Sequence, residues 1–148
     1  MPLKERISSD LKIAMKNADS FRVGVLRLLA SAFQNEAIAK RTRREEGDLT
    51  EEEVIAVLKK EAKKRRESID VYQAAARTDL ADNEKKELEI IKEYLPPELS
   101  LEEIEAVVKR LADSGITDFS SLMKSAMAEF KGAADGKTVS EAVKRILG

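Results

Sequence analysis

Residues 50–77 read TEEEVIAVLKKEAKKRRESIDVYQAAAR, and this stretch decides the fold class. Thr50 followed three residues later by Glu53 is the pattern of a capping box, which marks the start of a helix. Behind it, apolar residues recur at intervals of three and four and therefore share one helix face. That face consists of Ile55, Leu58, Ala62, Ile69, Tyr72 and Ala76, with Arg65 in an otherwise apolar position. The pattern predicts a helix over about 51–77 that packs along a neighbouring helix.

The segments on both sides have the same helical periodicity. They predict helices over about 3–17, 20–42 and 80–94. A break at residues 46–48 separates the second helix from the third, so we expect these two to form a long antiparallel hairpin. The predicted buried face of the second helix is Phe21, Val25, Leu28, Ala32 and Phe33, widened by Leu26 and Leu29.

Pro96-Pro97 is the clearest boundary in the chain, because a proline excludes the preceding residue from helical geometry. We therefore predict an N-terminal helical domain over 1–95 and a C-terminal domain over 98–148. The second domain contains three short amphipathic segments, and the predicted fold class is all-α. Helix starts are predicted from Ser100 with Glu103, from Asp118, and from Thr138 with Glu141; Gly115 and Gly132 are predicted helix ends.

Composition excludes several classes of function. The 148 residues contain neither cysteine nor histidine, which rules out disulfides, Cys/His zinc sites and catalytic triads built on histidine. With 27 basic and 28 acidic residues, the chain has no overall attraction for nucleic acid, although local basic patches remain compatible with it. No apolar run reaches the roughly 20 residues that span a bilayer, and the charged N-terminus is unlike a signal peptide. We expect a cytoplasmic protein with no membrane partner, no metal and no cofactor.

The segment from Lys131 to Thr138, KGAADGKT, is the strongest candidate for a binding site. Two lysines flank it, and it leads into a helix N-terminus, where free N–H groups attract anions. Gly132 and Gly136 would let a ligand approach the backbone closely. The alternative is a helix cap followed by a tight turn, with solvated lysines. Asp135 reduces the local positive charge.

Two further basic features lie in the N-terminal domain. Lysines and arginines at 59, 60 and 63–66 form a run on the long helix that could contact phosphates. The alternative is a solvated face paired with the carboxylates of Glu51, Glu52, Glu53, Glu61 and Glu67. Arg77 lies at a helix break, where Asp79 is expected to cap the following helix.

Short motifs in a particular order and spacing suggest a family. They are Asp10-Leu11-Lys12 with Met15-Lys16; Gln34-Asn35-Glu36-Ala37-Ile38; Lys63, Arg65 and Ser68; Arg77 with Asp79-Leu80; Tyr94-Leu95-Pro96; and Lys131-Gly132 with Ala134-Asp135-Gly136. In these motifs the chain resembles the YqeY-like family along essentially its whole length. The C-terminal domain of that family is similar to the tail domain of the B subunit of the tRNA-dependent amidotransferase.

The resemblance implies a helical N-terminal domain and a three-helix C-terminal domain. In the amidotransferase the similar tail contacts the outer body of tRNA and performs no chemistry. Members of the family often carry the label of a carbon–nitrogen ligase with glutamine as amido-N-donor, a label that the shared tail would explain. The leading hypothesis is therefore a non-catalytic tRNA-binding or translation-associated accessory protein, with tRNA or a translation-related protein as partner and no DNA.

The expected RNA contacts are Lys131, Gly132, Asp135, Gly136, Lys137 and Thr138 in the loop, together with Lys63, Arg65 and Arg77. Two alternatives stay open: a helical module that binds another protein through an apolar groove, and an amidotransferase component that acts only in complex.

Overall fold

The computed structural model describes residues 1–130 and 133–148, and in these ranges it contains helices and no strand. The predicted all-α fold class is confirmed. The helices are α1 (Leu3–Lys16), α2 (Ser20–Thr42), α3 (Glu51–Ala74), α4 (Thr78–Lys92), α5 (Leu101–Asp113), α6 (Phe119–Phe130) and α7 (Gly136–Leu147). The chain divides into two compact units, Met1–Leu95 and Pro96–Gly148.

In the first unit, α1 packs chiefly on α2 and α3 packs chiefly on α4. The predicted contact between α2 and α3 is present but less extensive. The core joins all four helices through side chains such as Ile7, Leu29, Leu58 and Ile91, each almost completely buried. Within each helix the core residues recur at helical spacing, so each helix presents one apolar face to the others.

The buried face of α2 is rotated from the predicted one. Val25, Leu26, Leu29 and Phe33 are buried, as expected, whereas Phe21 and Leu28 are exposed. The prediction was wrong at these two positions because the apolar residues of α2 run around more than half of the helix. Spacing alone does not decide which part of so wide a face meets the core.

The second unit contains α5, α6 and α7, each in contact with the other two. Its core includes Ile104, Val108, Leu122, Val139 and Val143.

Two of the three predicted helix starts of this unit are present. The Ser100 hydroxyl accepts the N–H of Glu103 at 3.1 Å, and an Asp118 carboxylate oxygen accepts that of Ser121 at 2.9 Å. Gly115 ends α5 with a φ of 112°, in the left-handed conformation that favours glycine.

Candidate nucleic-acid interface

The predicted binding loop is only partly within the described residues, because Lys131 and Gly132 lie outside them. The predicted capping box at Thr138 is wrong, since α7 already begins at Gly136 and Thr138 is inside the helix. Asp135 takes the N-cap position with extended backbone angles, and its carbonyl accepts the N–H of Val139 at 3.0 Å. The helix therefore starts through this backbone bond, two residues before Thr138.

The start of α7 places partly positive N–H groups and the Lys137 ammonium beside one negative side chain, that of Asp135. The Asp135 side chain makes no capping hydrogen bond, so it leaves the first N–H groups of α7 without a side-chain partner. Lys137 is exposed and forms no ion pair within the described part of the chain. A Cβ at Gly136 would come no closer than 4.0 Å to Met127, so crowding does not require glycine there. The arrangement can hold an anion, but the Asp135 carboxylate opposes it.

Five of the six residues in the basic run of α3 fall into two groups. Arg65 and Lys64 both pair with Glu61, whose carboxylate is thereby occupied. Lys60 and Lys63 are exposed and Lys59 is half-buried, and none of these three pairs with a carboxylate of the described chain. We define Lys59, Lys60 and Lys63 as the α3 lysine face.

Two of the acidic residues at the start of α3 have other partners. Glu53 pairs with Lys40, and Glu51 accepts the backbone N–H of Leu3 at 3.0 Å. Lys59 and Lys60 also have no carboxylate three or four residues away along α3, which is the spacing that places side chains side by side. The alternative of a solvated face paired with carboxylates therefore describes Lys64 but not the α3 lysine face, and Arg65 is paired but buried.

Arg65 lies inside the first unit and not on its basic surface. Its side chain is only 10% exposed, it pairs with Glu61 on α3, and its Nε lies 3.5 Å from a carboxylate oxygen of Glu87 on α4. Its guanidinium therefore ties α3 to α4, and a phosphate would have to displace both carboxylates to reach it.

Arg77 is exposed but shares its charge with a neighbour. Its Nε and Nη2 each lie 3.3 Å from a different carboxylate oxygen of Asp79, and this pairing lowers the pKa of Asp79. The prediction that Asp79 caps α4 is wrong, because α4 begins at Thr78 and Asp79 lies in its first turn. A carboxylate there interacts favourably with the helix dipole, which accounts for the residue type.

Two polar interactions in the first unit were not predicted from the sequence. The Lys40 ammonium is buried and donates to a Glu53 carboxylate oxygen at 2.8 Å and to the Asp48 carbonyl at 2.9 Å. The hydrogen bond from Lys40 lowers the pKa of Glu53. The Glu53 side chain also completes the Thr50 capping box. No sequence signal marks Lys40, because its partners come from the loop and the helix that follow it.

The second interaction joins residues from two of the family motifs. The Tyr94 hydroxyl donates to Asp10 at 2.6 Å, and the Arg6 guanidinium lies 4.8 Å from the centre of the Tyr94 ring. Burial and the bond to Asp10 raise the pKa of Tyr94. Asp10 and Tyr94 both belong to the motifs quoted above, but those motifs do not show that the two residues meet.

Within the described residues, no acidic cluster is arranged to hold a metal ion, and no helix has the length and apolarity to cross a membrane.

The comparison with known proteins rests on one family. No curated protein matches the chain. The model of the family described as Yqey-like protein matches residues 4–147, and this confirms the resemblance inferred from the motifs. Because the match covers nearly every residue, the chain belongs to the YqeY-like family.

Proposed function

We propose that this protein is a non-catalytic, cytoplasmic tRNA-binding accessory protein of translation, which recognises the phosphate backbone and not the bases. The observation that carries the proposal is the α3 lysine face, three ammonium groups with no described carboxylate partner on one stretch of helix. Membership of the YqeY-like family supports it, since the C-terminal segment 98–148 resembles a domain that contacts tRNA in the amidotransferase.

Unpaired lysines favour binding of a polyanion for a physical reason. A lysine already bonded to a carboxylate must give up that bond before it meets a phosphate, which cancels much of the gain. Lys59, Lys60 and Lys63 have no such bond to lose among the described residues. Each phosphate that they neutralise releases a condensed counterion, and this release provides most of the affinity of non-specific binding to nucleic acid.

Recognition of bases is not favoured by the residues present. Aromatic residues make up 4% of the chain, and Tyr94, one of its two tyrosines, is buried against Asp10. Single-stranded bases are usually read by stacking on aromatic rings, whereas folded RNA is recognised through its shape and phosphates. The lysines therefore suit the backbone of a structured RNA such as tRNA.

The start of α7 is the second proposed contact. Lys137 and the free N–H groups beside it would receive a phosphate; Lys131 and Gly132, which the sequence suggests as further contacts, lie outside the described residues. Asp135 weakens this contact, so we expect the α3 lysine face to contribute more of the affinity.

The experiment is tRNA binding by the wild type and by a Lys59→Gln/Lys60→Gln/Lys63→Gln variant over a series of salt concentrations. Removal of these contacts should lower the slope of log affinity against log salt by about two to three, because each phosphate contact contributes roughly one. Affinity near about 0.1 M salt should fall roughly tenfold or more. Duplex DNA added as competitor should displace tRNA poorly.

The matched control is Lys64→Gln/Lys85→Gln/Lys92→Gln, which removes three exposed lysines of the same unit that are already paired with carboxylates, those of Glu61, Asp82 and Glu89. It changes the net charge equally and should keep most of the salt dependence. Equal slopes for the wild type and the α3 variant would contradict the assignment of this face. Equal competition by DNA would reduce the proposal to general electrostatic attraction. A separate Lys137→Gln variant measures the contribution of α7.

A further inference from the structure

Asp135 and Gly136 form the only Asp-Gly sequence of the chain, and Asn-Gly does not occur in it. In an Asp-Gly pair the backbone nitrogen of the glycine can attack the side-chain carboxyl carbon of the aspartate. Glycine favours this attack because it has no Cβ to obstruct the approach or to restrict the backbone. The product is a five-membered ring, a succinimide, which opens with water to either aspartate or isoaspartate.

The carboxyl group of Asp135 is free to take part in this reaction. It is exposed and makes no capping hydrogen bond at the start of α7. Asp19 and Asp118 lie directly before α2 and α6, but their carboxylates accept the backbone N–H groups of Arg22 at 3.2 Å and Ser121 at 2.9 Å. Each of those two carboxylates must give up a hydrogen bond before it can turn toward the next backbone nitrogen, whereas that of Asp135 has no such bond to lose.

The two Asp-Ser sequences of the chain are less suited to the same reaction. They are Asp19-Ser20 and Asp113-Ser114. In both, the serine N–H that would have to attack already donates to a backbone carbonyl at 3.1 Å. A serine side chain also obstructs the nitrogen more than the hydrogen of glycine does.

We propose that Asp135 converts spontaneously to isoaspartate in the folded protein. The Gly136 nitrogen forms a bond to Cγ of Asp135, and the hydroxyl of the protonated carboxyl leaves with the N–H proton as one molecule of water. Water then adds to the former backbone carbonyl carbon of Asp135 and breaks its bond to the Gly136 nitrogen. One water is lost and one is gained, and the main chain now runs through the side-chain carbons.

Ring closure requires a local opening at the start of α7. The backbone of Asp135 is extended, with ψ at 135°, and Cγ reaches the Gly136 nitrogen only after rotation about the Cα–C bond. Among the described hydrogen bonds, this rotation breaks the one from the Val139 N–H to the Asp135 carbonyl, at 3.0 Å. The ends of helices fray and open at low free energy, so the fold slows the reaction without preventing it.

Isoaspartate would change the start of α7. It adds one methylene to the main chain between Cα of residue 135 and the Gly136 nitrogen, so the carbonyl that now accepts the Val139 N–H is displaced. Amide exchange at Val139 should therefore be faster in aged protein than in fresh protein, while exchange at Val108, in the buried part of α5, should not change.

The first experiment ages the full chain in warm buffer, folded and in urea, and maps isoaspartate by mass spectrometry. Trypsin cleaves after Lys131 and Lys137 and releases residues 132–137 as one peptide. This peptide should divide into two species of equal mass, and electron-based fragmentation should place isoaspartate at 135. Formation should be faster in mildly acidic than in mildly alkaline buffer, because the carboxyl must carry a proton to lose water. If position 135 converts in urea but not in the folded protein, or no faster than positions 19 and 113 when folded, the proposal fails.

The second experiment tests the route with substitutions. Gly136→Ala should slow conversion several-fold, and it should keep the fold because a Cβ there comes no closer than 4.0 Å to Met127. Asp135→Glu should yield no isomer at position 135, because the longer side chain would have to close a six-membered ring. The matched control is Gly24→Ala, where a Cβ meets nothing within 4 Å, and it should convert like the wild type. A Gly136→Ala variant that folds, by circular dichroism, and converts as fast as the wild type would overturn the proposed attack by the Gly136 nitrogen.

Discussion

Arg65 joins α3 to α4 through ion pairs. Its guanidinium contacts carboxylates on both helices, Glu61 on α3 and Glu87 on α4. A third carboxyl lies close by: burial raises the pKa of Glu84, and the neighbouring Glu87 adds to this shift while Arg65 opposes it. One positive charge therefore holds together three acidic groups that would otherwise repel one another.

We expect Arg65→Met to lower the free energy of unfolding by about 3 kcal/mol, since it leaves mostly buried carboxylates without their cation. The loss should be largest near neutral pH. Burial already raises the pKa of Glu84 in the folded state, and without Arg65 to oppose this shift the pKa of Glu84 should rise further. The folded state then binds more protons than the unfolded state, so the stability of the variant should recover as pH falls through the raised folded-state pKa of Glu84.

Urea unfolding at several pH values measures this effect. Lys63→Met is the control on the same helix; its side chain is exposed, and its effect should stay within about 0.5 kcal/mol. A constant difference between the Arg65 variant and the wild type from neutral to acidic pH would contradict the electrostatic role.

Three helix ends have an unusual residue in the left-handed conformation. Ala18, Arg44 and Ala76 have φ values of 54°, 61° and 56°, a region that costs energy for residues with a side chain. At the end of α3, Ala76 donates its N–H to the Gln73 carbonyl and Arg77 donates to the Tyr72 carbonyl. These two bonds form the usual closing pattern of a helix, in which the left-handed position is normally glycine.

Ala76→Gly should therefore stabilise the protein, by about 0.5–1 kcal/mol, because glycine adopts this conformation without a clash. Ala56→Gly is the control, an exposed alanine inside the same helix. There the same substitution should destabilise by about 1 kcal/mol, because glycine lowers helix propensity. Thermal melts of both variants check the opposite signs, and a destabilising Ala76→Gly would show that the strain is absent.

Helix boundaries that are set by short local hydrogen bonds were predictable from the sequence. Thr50 and Ser100 cap their helices with short local bonds, so the pattern is visible in a few residues. The end of α3 was expected near residue 77 because Ala76 continues the apolar spacing, yet α3 ends at Ala74. Ala76 instead takes a left-handed conformation and donates one of the hydrogen bonds that close the helix, and the apolar spacing does not contain this information.

The candidate binding residues likewise include features that the sequence reveals and features that it does not. The lysines of α3 were visible in the sequence, but the partner of Arg65 on α4 depends on tertiary packing, so the pairing with Glu87 was not predictable.

At the scale of the whole molecule, the chain has two hydrophobic cores of different size. The core of Met1–Leu95 draws on four helices and that of Pro96–Gly148 on three short ones. Smaller units bury a lower fraction of their surface and are less stable.

Hydrogen–deuterium exchange should therefore be faster for the buried amides of α5–α7 than for those of α3. Opening of the smaller unit needs less free energy than global unfolding, so its amides reach solvent more often. Amides around Val108 and Leu58, both fully buried, are the matched pair to compare. Equal protection at these two places would show that the two cores open together.

The burial of Lys40 gives the protein an internal standard for chemical labelling. Amine-directed reagents attack free, unprotonated amines that they can reach. The Lys40 ammonium is bonded to Glu53 and to the Asp48 carbonyl, and is almost without contact with solvent. In the folded protein it should be modified long after the lysines of α1 and the α3 lysine face. Acylation of Lys40 thus reports opening of the junction between α2 and α3, and protection of other lysines by RNA can be read against it in the same mass spectrum.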